Sequence, residues 1–321
     1  MNILILGGGG FIGQKLAVAL AQKVRLRGKP IERMVLADIN APRSVDAPFL
    51  VETCRCNIAD RASIDEMIGA DVDVIFLLAA IVSAHAEDDF DKGMEVNLFG
   101  ALNVLERCRT LKTKPTLVFS SSLGVFGGEV PDPIEDWTLF NPQSSYGTQK
   151  AMVELLLNDY SRRGMVDGRG LRLPTISVRP GLPNRAASSY LSSIFREPLN
   201  GVEATCPVEP DTMQYFLSPR RCIKNLIIGA EAKAERFGQN RCLTMPGLTL
   251  SIHQAIAAMT AVVGPEPAKL ISWEPQADIQ KMVAGWRFNF NTAKADALGL
   301  KRDASFEDNI RYFIEDDMTA V

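Results

Sequence analysis

Tyr146-Gly-Thr-Gln-Lys150 places a phenol and an ammonium four residues apart, and on a helix that spacing puts both on one face. A tyrosine with an ordinary pKa of about 10 is a poor base at neutral pH, but a neighbouring cation favours its phenolate. Earlier in the chain Ser120, Ser121 and Ser122 follow the apolar run Thr116 to Phe119, which reads as a strand emptying into hydroxyls. A serine there can hold a substrate oxygen while Tyr146 takes the proton, with Lys150 supplying the charge. The chemistry this trio can do is deprotonation of an alcohol.

A second group of residues says what accepts the rest of the bond. The first apolar run, Ile3 to Leu6, empties into Gly7-Gly-Gly-Gly10-Phe11-Ile12-Gly13, after which helical periodicity begins. Glycines between a strand and a helix let a dinucleotide pyrophosphate approach unpaired N–H groups at the positive end of the helix dipole. The run fits GxGxxG through Gly8, Gly10 and Gly13, and also GxxGxxG through Gly7, Gly10 and Gly13, so spacing leaves both templates open. Asp38, at the end of the second strand, can accept hydrogen bonds from ribose hydroxyls and would repel a 2'-phosphate. Arg43 lies farther along the loop and not directly after Asp38, so NAD rather than NADP is the expected cofactor. An acceptor of hydride beside a proton-abstracting tyrosine makes an oxidoreductase.

These groups must be carried on a scaffold, and the chain supplies an alternating one. Strands are expected at Ile3 to Leu6, Met34 to Ala37, Phe49 to Cys54, Val74 to Leu78, Thr116 to Phe119 and Thr175 to Val178, short apolar runs of the kind buried in parallel sheets. Helical periodicity is clearest over Phe11 to Val24, Phe90 to Leu111 and Ser145 to Arg162. Right-handed crossovers then give an α/β doubly wound parallel sheet over residues 1–180. Beyond about residue 181, prolines at 183, 198, 207, 210 and 219 break the alternation, and 181–321 is expected to be mainly a smaller substrate-binding lobe, with some segments returning to the first domain. Within it Ser218-Pro219, Ser251 and Ser305 are helix starts, the last with Asp308 in a capping-box position.

Composition narrows the partners. A net charge of -3 over 321 residues, from 35 basic and 38 acidic side chains, offers no footprint for nucleic acid or an anionic membrane, so the partner is a small molecule. The six cysteines, at 54, 56, 108, 206, 222 and 242, have no CxxC spacing and only His85 and His253 for company. They read as reduced packing residues with no metal site, Cys54 and Cys56 sharing one strand face. Asn2 to Leu6 is too short for a signal or a membrane span, and a cytoplasmic enzyme is expected.

Three stretches together, Gly7-x-x-Gly10-x-x-Gly13, Phe119-Ser-Ser-Ser-Leu-Gly-Val-Phe-Gly127 and Asn141-Pro-Gln-Ser-Ser-Tyr-Gly-Thr-Gln-Lys150, resemble the extended short-chain dehydrogenase/reductases, which are Rossmann-fold enzymes. The resemblance implies Ser122 as the polarising serine, Tyr146 as general base and Lys150 as its activator and a holder of the nicotinamide ribose. It implies further cofactor contacts at Asn57 and Ile58, at Leu78, Ala79 and Ala80, at Asn97 and at Leu182. Phe126 and the Pro219-Arg220 pair depart from that family's usual residues.

The stretch from Arg179-Pro-Gly-Leu-Pro-Asn-Arg185 to Arg196-Glu-Pro-Leu resembles its sugar-acid dehydrogenases, implying oxidation of the C2 hydroxyl of a D-erythronate-like aldonate. Arg185 and Arg196 are candidates for its carboxylate, since a guanidinium fork can bind both oxygens, and Ser83 is a candidate donor. One rival is a nucleotide-sugar epimerase or dehydratase, with Arg220 and Arg221 for a diphosphate. Another is a non-catalytic NAD-binding regulator. Many relatives are homodimers, and pairing is expected through Phe90 to Leu111 and Ser145 to Arg162.

Overall fold

The computed structural model describes residues 1–181 and 188–318. Seven strands form its main sheet: β1 (Asn2–Leu6), β2 (Arg33–Asp38), β3 (Leu50–Arg55), β4 (Val74–Leu77), β5 (Thr116–Ser122), β6 (Asp167–Leu173) and β7 (Cys242–Thr244). Their order is β7-β6-β5-β4-β1-β2-β3 and all the pairings are parallel. The order reverses between β1 and β4, and the crevice outside the carboxyl ends of those strands is where such a sheet takes ligands.

Alternation along the strands builds a core on each face. Ile3 and Ile5 of β1, with Phe76 of β4, pack against Leu16 and Leu20 of helix α1 (Phe11–Lys23). Leu4, Leu6, Ile75 and Leu77 face the other way, onto Val104 and Leu105 of the helix Ala101–Thr110 and Val153 and Leu157 of helix α2 (Ser145–Arg162). Segments from beyond residue 181 return to this unit, among them the helix Ala293–Leu298, which buries Ala295 and Leu298 there. Helix α3 (Pro219–Glu231) buries Cys222 and Leu226 with the α1 core, and β7 extends the sheet beside β6. The remaining lobe has its own core, in which Phe306 meets Phe195 and, edge-on, Phe216. Its three-stranded sheet pairs Thr175–Ile176, Met213–Leu217 and Leu248–Ser251.

Several expectations need correction. The sixth strand of the main sheet is Asp167–Leu173, and Thr175–Ile176 belongs to the lobe. The sequence Asp-Gly-Arg-Gly-Leu-Arg-Leu has no apolar run, yet both arginines are fully buried, Arg169 beside Asp167 and Arg172 against Glu154. Arg172, with no exposed surface, lies bidentate on the equally buried Glu154 of α2 (2.7 to 3.1 Å), reaches Asp136 at 3.2 Å and is faced by the rings of Phe126 and Phe140. The Phe90 to Leu111 helix is interrupted by a π-helical stretch, Met94–Gly100, which the apolar spacing of the sequence does not mark. At the last helix, Phe306–Asp316, Ser305 makes no side-chain cap and Asp308 pairs with Arg311, so no capping box forms. Ser251 does form one, with Gln254.

The cysteines are all free, and Cys54 and Cys56 join one core. Among the described residues no helix is long and apolar enough to cross a membrane. Arg172→Met alone strands the Glu154 carboxylate in the core, and is expected to lower stability by roughly 3–5 kcal/mol in urea unfolding.

Candidate active site

The turn after β1 is dictated by how closely the backbone approaches itself. Gly7 has φ +92°, and its N–H and that of Gly8 donate to Ala37 O on β2 at 2.9 and 3.0 Å. A Cβ at Gly7 would lie 2.5 Å from Ala79 N, and one at Gly13 would lie 2.2 Å from Gly7 O. At Gly10, the N-cap of α1, the nearest atom to such a Cβ is Gly7 O at 3.4 Å. The fold itself therefore demands glycine at 7 and 13, whereas Gly10 keeps a face clear at a helix N-terminus, which is what a pyrophosphate requires. Phe11 and Ile12 open that helix, and Gln14 braces the turn by donating to Gly8 O at 2.7 Å.

Around this turn the other cofactor candidates converge. Asp38 ends β2, and its carboxylate accepts from Gly9 N at 3.0 Å and Ile39 N at 2.7 Å, so it sits beside the glycine loop. Leu78 and Ala79 follow β4, their N–H groups donating to Leu6 O, with Ala80 next, half-buried. Asn57 and the buried Ile58 follow β3, Ile58 packing under Gly100. Asn97, in the π-helical stretch, is buried and accepts from Ile81 N at 2.9 Å while donating to Ile81 O and to Gln149 Oε1. It clasps the backbone that leaves β4 to the residue preceding Lys150.

The expected trio is assembled at the end of β5. Ser144 caps α2 by accepting from Gly147 N, and this first turn brings the Tyr146 phenol to the Ser122 hydroxyl, which also accepts from Gly124 N at 3.1 Å. Lys150, buried, donates to Ser120 O at 2.8 Å and lies 4.7 Å from the Phe119 ring centre and 5.6 Å from that of Tyr146. Burial pushes the Tyr146 phenol up to about 12, partly opposed by the Ser122 hydrogen bond. It also pulls the Lys150 ammonium down to about 7, opposed by the charge of Glu154. Both groups are thus held off their ordinary values by desolvation, as in sites that move protons.

The substrate candidates are more scattered. Ser83 begins the short helix Ser83–Asp88 just past β4. Arg196 is buried and donates to Arg179 O at 2.8 Å and to Glu197 at 2.6 Å. Arg185 and Leu182 lie outside the described residues. Arg220 is spoken for by Glu315, Asp316 and the Tyr312 ring, and Arg221 lies 3.8 Å from Asp303, so the pair suggested for a diphosphate holds the C-terminal segment. Sequence reasoning missed Gln14, Gln149, Glu154 and Arg172. Glu154 alone left a signal, recurring two turns after Tyr146 on the face already marked by Lys150.

Residues 3–201 match the NAD dependent epimerase/dehydratase family. The chain belongs to that family. The expected NAD-dependent oxidoreductase with a doubly wound sheet stands accordingly. Within the family the chain is 47% identical to D-erythronate dehydrogenase of Cupriavidus necator over 98% of both chains. It is 42% identical to D-erythronate dehydrogenase of Haemophilus influenzae over 99% of this chain and 100% of the other. A solved structure named as the nucleoside-diphosphate-sugar epimerase from Agrobacterium tumefaciens superposes with a TM-score of 0.94 at 43% identity, covering 98% of this chain and 94% of that one.

The site's internal geometry yields two tests. Gly13→Ala drives a methyl into Gly7 O and is expected to lower the melting temperature of the ligand-free protein by several degrees, read by calorimetry. An unfolded lysine keeps its proton up to its ordinary 10.5, whereas folded Lys150 releases it near 7. The unfolded chain therefore binds more protons between those values, and the free energy of unfolding rises with pH across that window. Lys150→Met should flatten the rise seen in urea titrations between pH 7 and 10.

Proposed function

We propose that this protein oxidises the C2 hydroxyl of a D-erythronate-like aldonate to the 2-oxo acid with NAD as hydride acceptor. The observation that carries the reading is the near full-length identity of 47% and 42% with two D-erythronate dehydrogenases. The convergence of Ser122, Tyr146 and Lys150 supports the mechanism. When bound, NAD supplies the acceptor for the C2 hydride and a cationic ring that favours phenolate at Tyr146. Gly7, Gly10, Phe11, Ile12 and Gly13 would receive the pyrophosphate, Asp38 the adenosine ribose, and Lys150 the nicotinamide ribose, with Asn57, Ile58, Leu78, Ala79, Ala80, Asn97 and Leu182 lining the remainder.

In this reading Ser122 donates to the substrate oxygen and fixes it near Tyr146. The phenolate takes the hydroxyl proton as C2 gives up its hydride, leaving a carbonyl at C2. Lys150 stabilises the phenolate by its charge. Arg196, Arg185 and Ser83 are the proposed carboxylate and hydroxyl contacts.

A nucleotide-sugar reading is favoured by one observation, the name of the similar Agrobacterium structure. Against it, Arg220 and Arg221 face Asp316 and Asp303 rather than an open site. A non-catalytic regulator would have no use for the intact trio. We further propose cytoplasmic residence, and a homodimer formed through the helical faces that expose Phe99 (51%) and Leu155 (59%).

The deciding experiment follows NADH at 340 nm with D-erythronate, other aldonates and UDP-sugars. Turnover of D-erythronate with NAD, reduced at least about a hundredfold by Tyr146→Phe, is the expected outcome. Turnover of UDP-sugars alone would transfer the protein to the rival reading, and full activity of Tyr146→Phe would refute the base assignment. Gly10→Ala, which meets no backbone closer than 3.4 Å, should fold as the wild type yet bind NAD at least about tenfold more weakly by calorimetric titration.

A further inference from the structure

Tyr146, Lys150 and Glu154 recur every four residues along α2 and so stack down one face of it. Glu154 has no exposed surface, and its carboxylate gathers three elements. One oxygen accepts from the hydroxyl of Ser121, the residue before Ser122 on β5. Both accept from the Arg172 guanidinium on β6. One turn back along the helix is Lys150, whose Nζ is bonded to Ser120 O, so β5 is gripped at two successive residues, Ser120 and Ser121, by side chains of the same helix face. Arg172 is in turn anchored by Asp136, whose carboxylate also accepts from Thr244 N on β7 at 2.7 Å.

We propose that the buried Glu154–Arg172 pair is a positioning device for the proposed reaction: it fixes the helix bearing Tyr146 and Lys150 against the strand bearing Ser122, and sets a negative charge behind the Lys150 ammonium. The pair touches neither the glycine turn nor the Tyr146 hydroxyl. A pair needed for packing alone could be replaced by neutral side chains of similar volume at no cost to turnover. Here such a replacement also removes the charge that opposes the desolvation of Lys150, and frees the register between α2 and β5 on which the Ser122–Tyr146 contact depends. The inference rests on the proposed role of Tyr146 and Lys150.

The test compares Glu154→Gln, the double variant Glu154→Gln/Arg172→Met, which leaves neither partner charged in the core, and Tyr146→Phe. NAD affinity is measured by calorimetric titration, folding by melting temperature, and turnover with the substrate identified above. The double variant is expected to melt within about 5 °C of the wild type and to bind NAD unchanged. Its kcat should fall about 10- to 100-fold, with a smaller change in KM. Its kcat/KM should turn down at lower pH than that of the wild type, because Lys150 gives up its proton sooner. A folded double variant with wild-type kcat and pH profile overturns the proposal while leaving Tyr146 in place. An active Tyr146→Phe refutes the underlying mechanism instead. Should both charge variants fail to fold, Ser121→Ala, which removes one hydrogen bond to Glu154 and no charge, decides: a two- to fivefold loss of kcat at unchanged NAD affinity supports the device, and an unchanged kcat overturns it.

Discussion

A carboxylate taken wholly out of water cannot stay charged without partners, and Glu154 finds them only if four pieces of chain meet. Helix α2 supplies the carboxylate, β5 a serine hydroxyl, β6 a guanidinium, and the loop before α2 contributes Asp136 and two aromatic rings around Arg172. Ser122 adjoins Ser121 at this junction, Lys150 stands one turn of α2 away and Tyr146 two. The requirement for mutual satisfaction in the core therefore fixes the relative position of the residues proposed to do chemistry at its edge.

The glycine turn obeys a different constraint, steric rather than electrostatic. Where β1 and β4 diverge, the backbone at Gly7 passes so near Ala79 that no side chain fits, and Gly13 is pressed against the same turn. Asn97 then ties the chain leaving β4 to Gln149 on α2. That amide links the segment after β4, against which Gly7 is pressed, to the helix that carries Tyr146 and Lys150.

The lobe meets the unit that carries this site along a seam where Phe290 packs against Phe126 and Tyr215 amid polar pairings. Ile134 exchanges backbone hydrogen bonds with Asn289 and Asn291, while Asp132 and Glu135 take the amides of the same two asparagines. At the far end of the chain Asp316 and Asp317 reach Arg220 on α3 and Lys15 on α1. The loop seated by Asp136 is thus continuous with the one that holds the lobe, and a substrate enclosed between them would meet groups whose positions were settled by both.

The glycine turn, the Asp38 strand end and the Tyr146–Lys150 spacing were legible in the sequence because each depends on neighbours a few residues away, where periodicity and backbone freedom speak directly. The parallel strands announced themselves too, since strands covered on both faces must be apolar throughout. What the sequence could not disclose depends on partners far apart. Asp167–Leu173 is a buried strand only because Glu154 and Asp136 neutralise Arg172 within it, and Arg220 serves the C-terminal segment only because Asp316, almost a hundred residues on, folds back to it. Local chemistry named the candidate groups, and long-range pairing of buried charges decided where they stand.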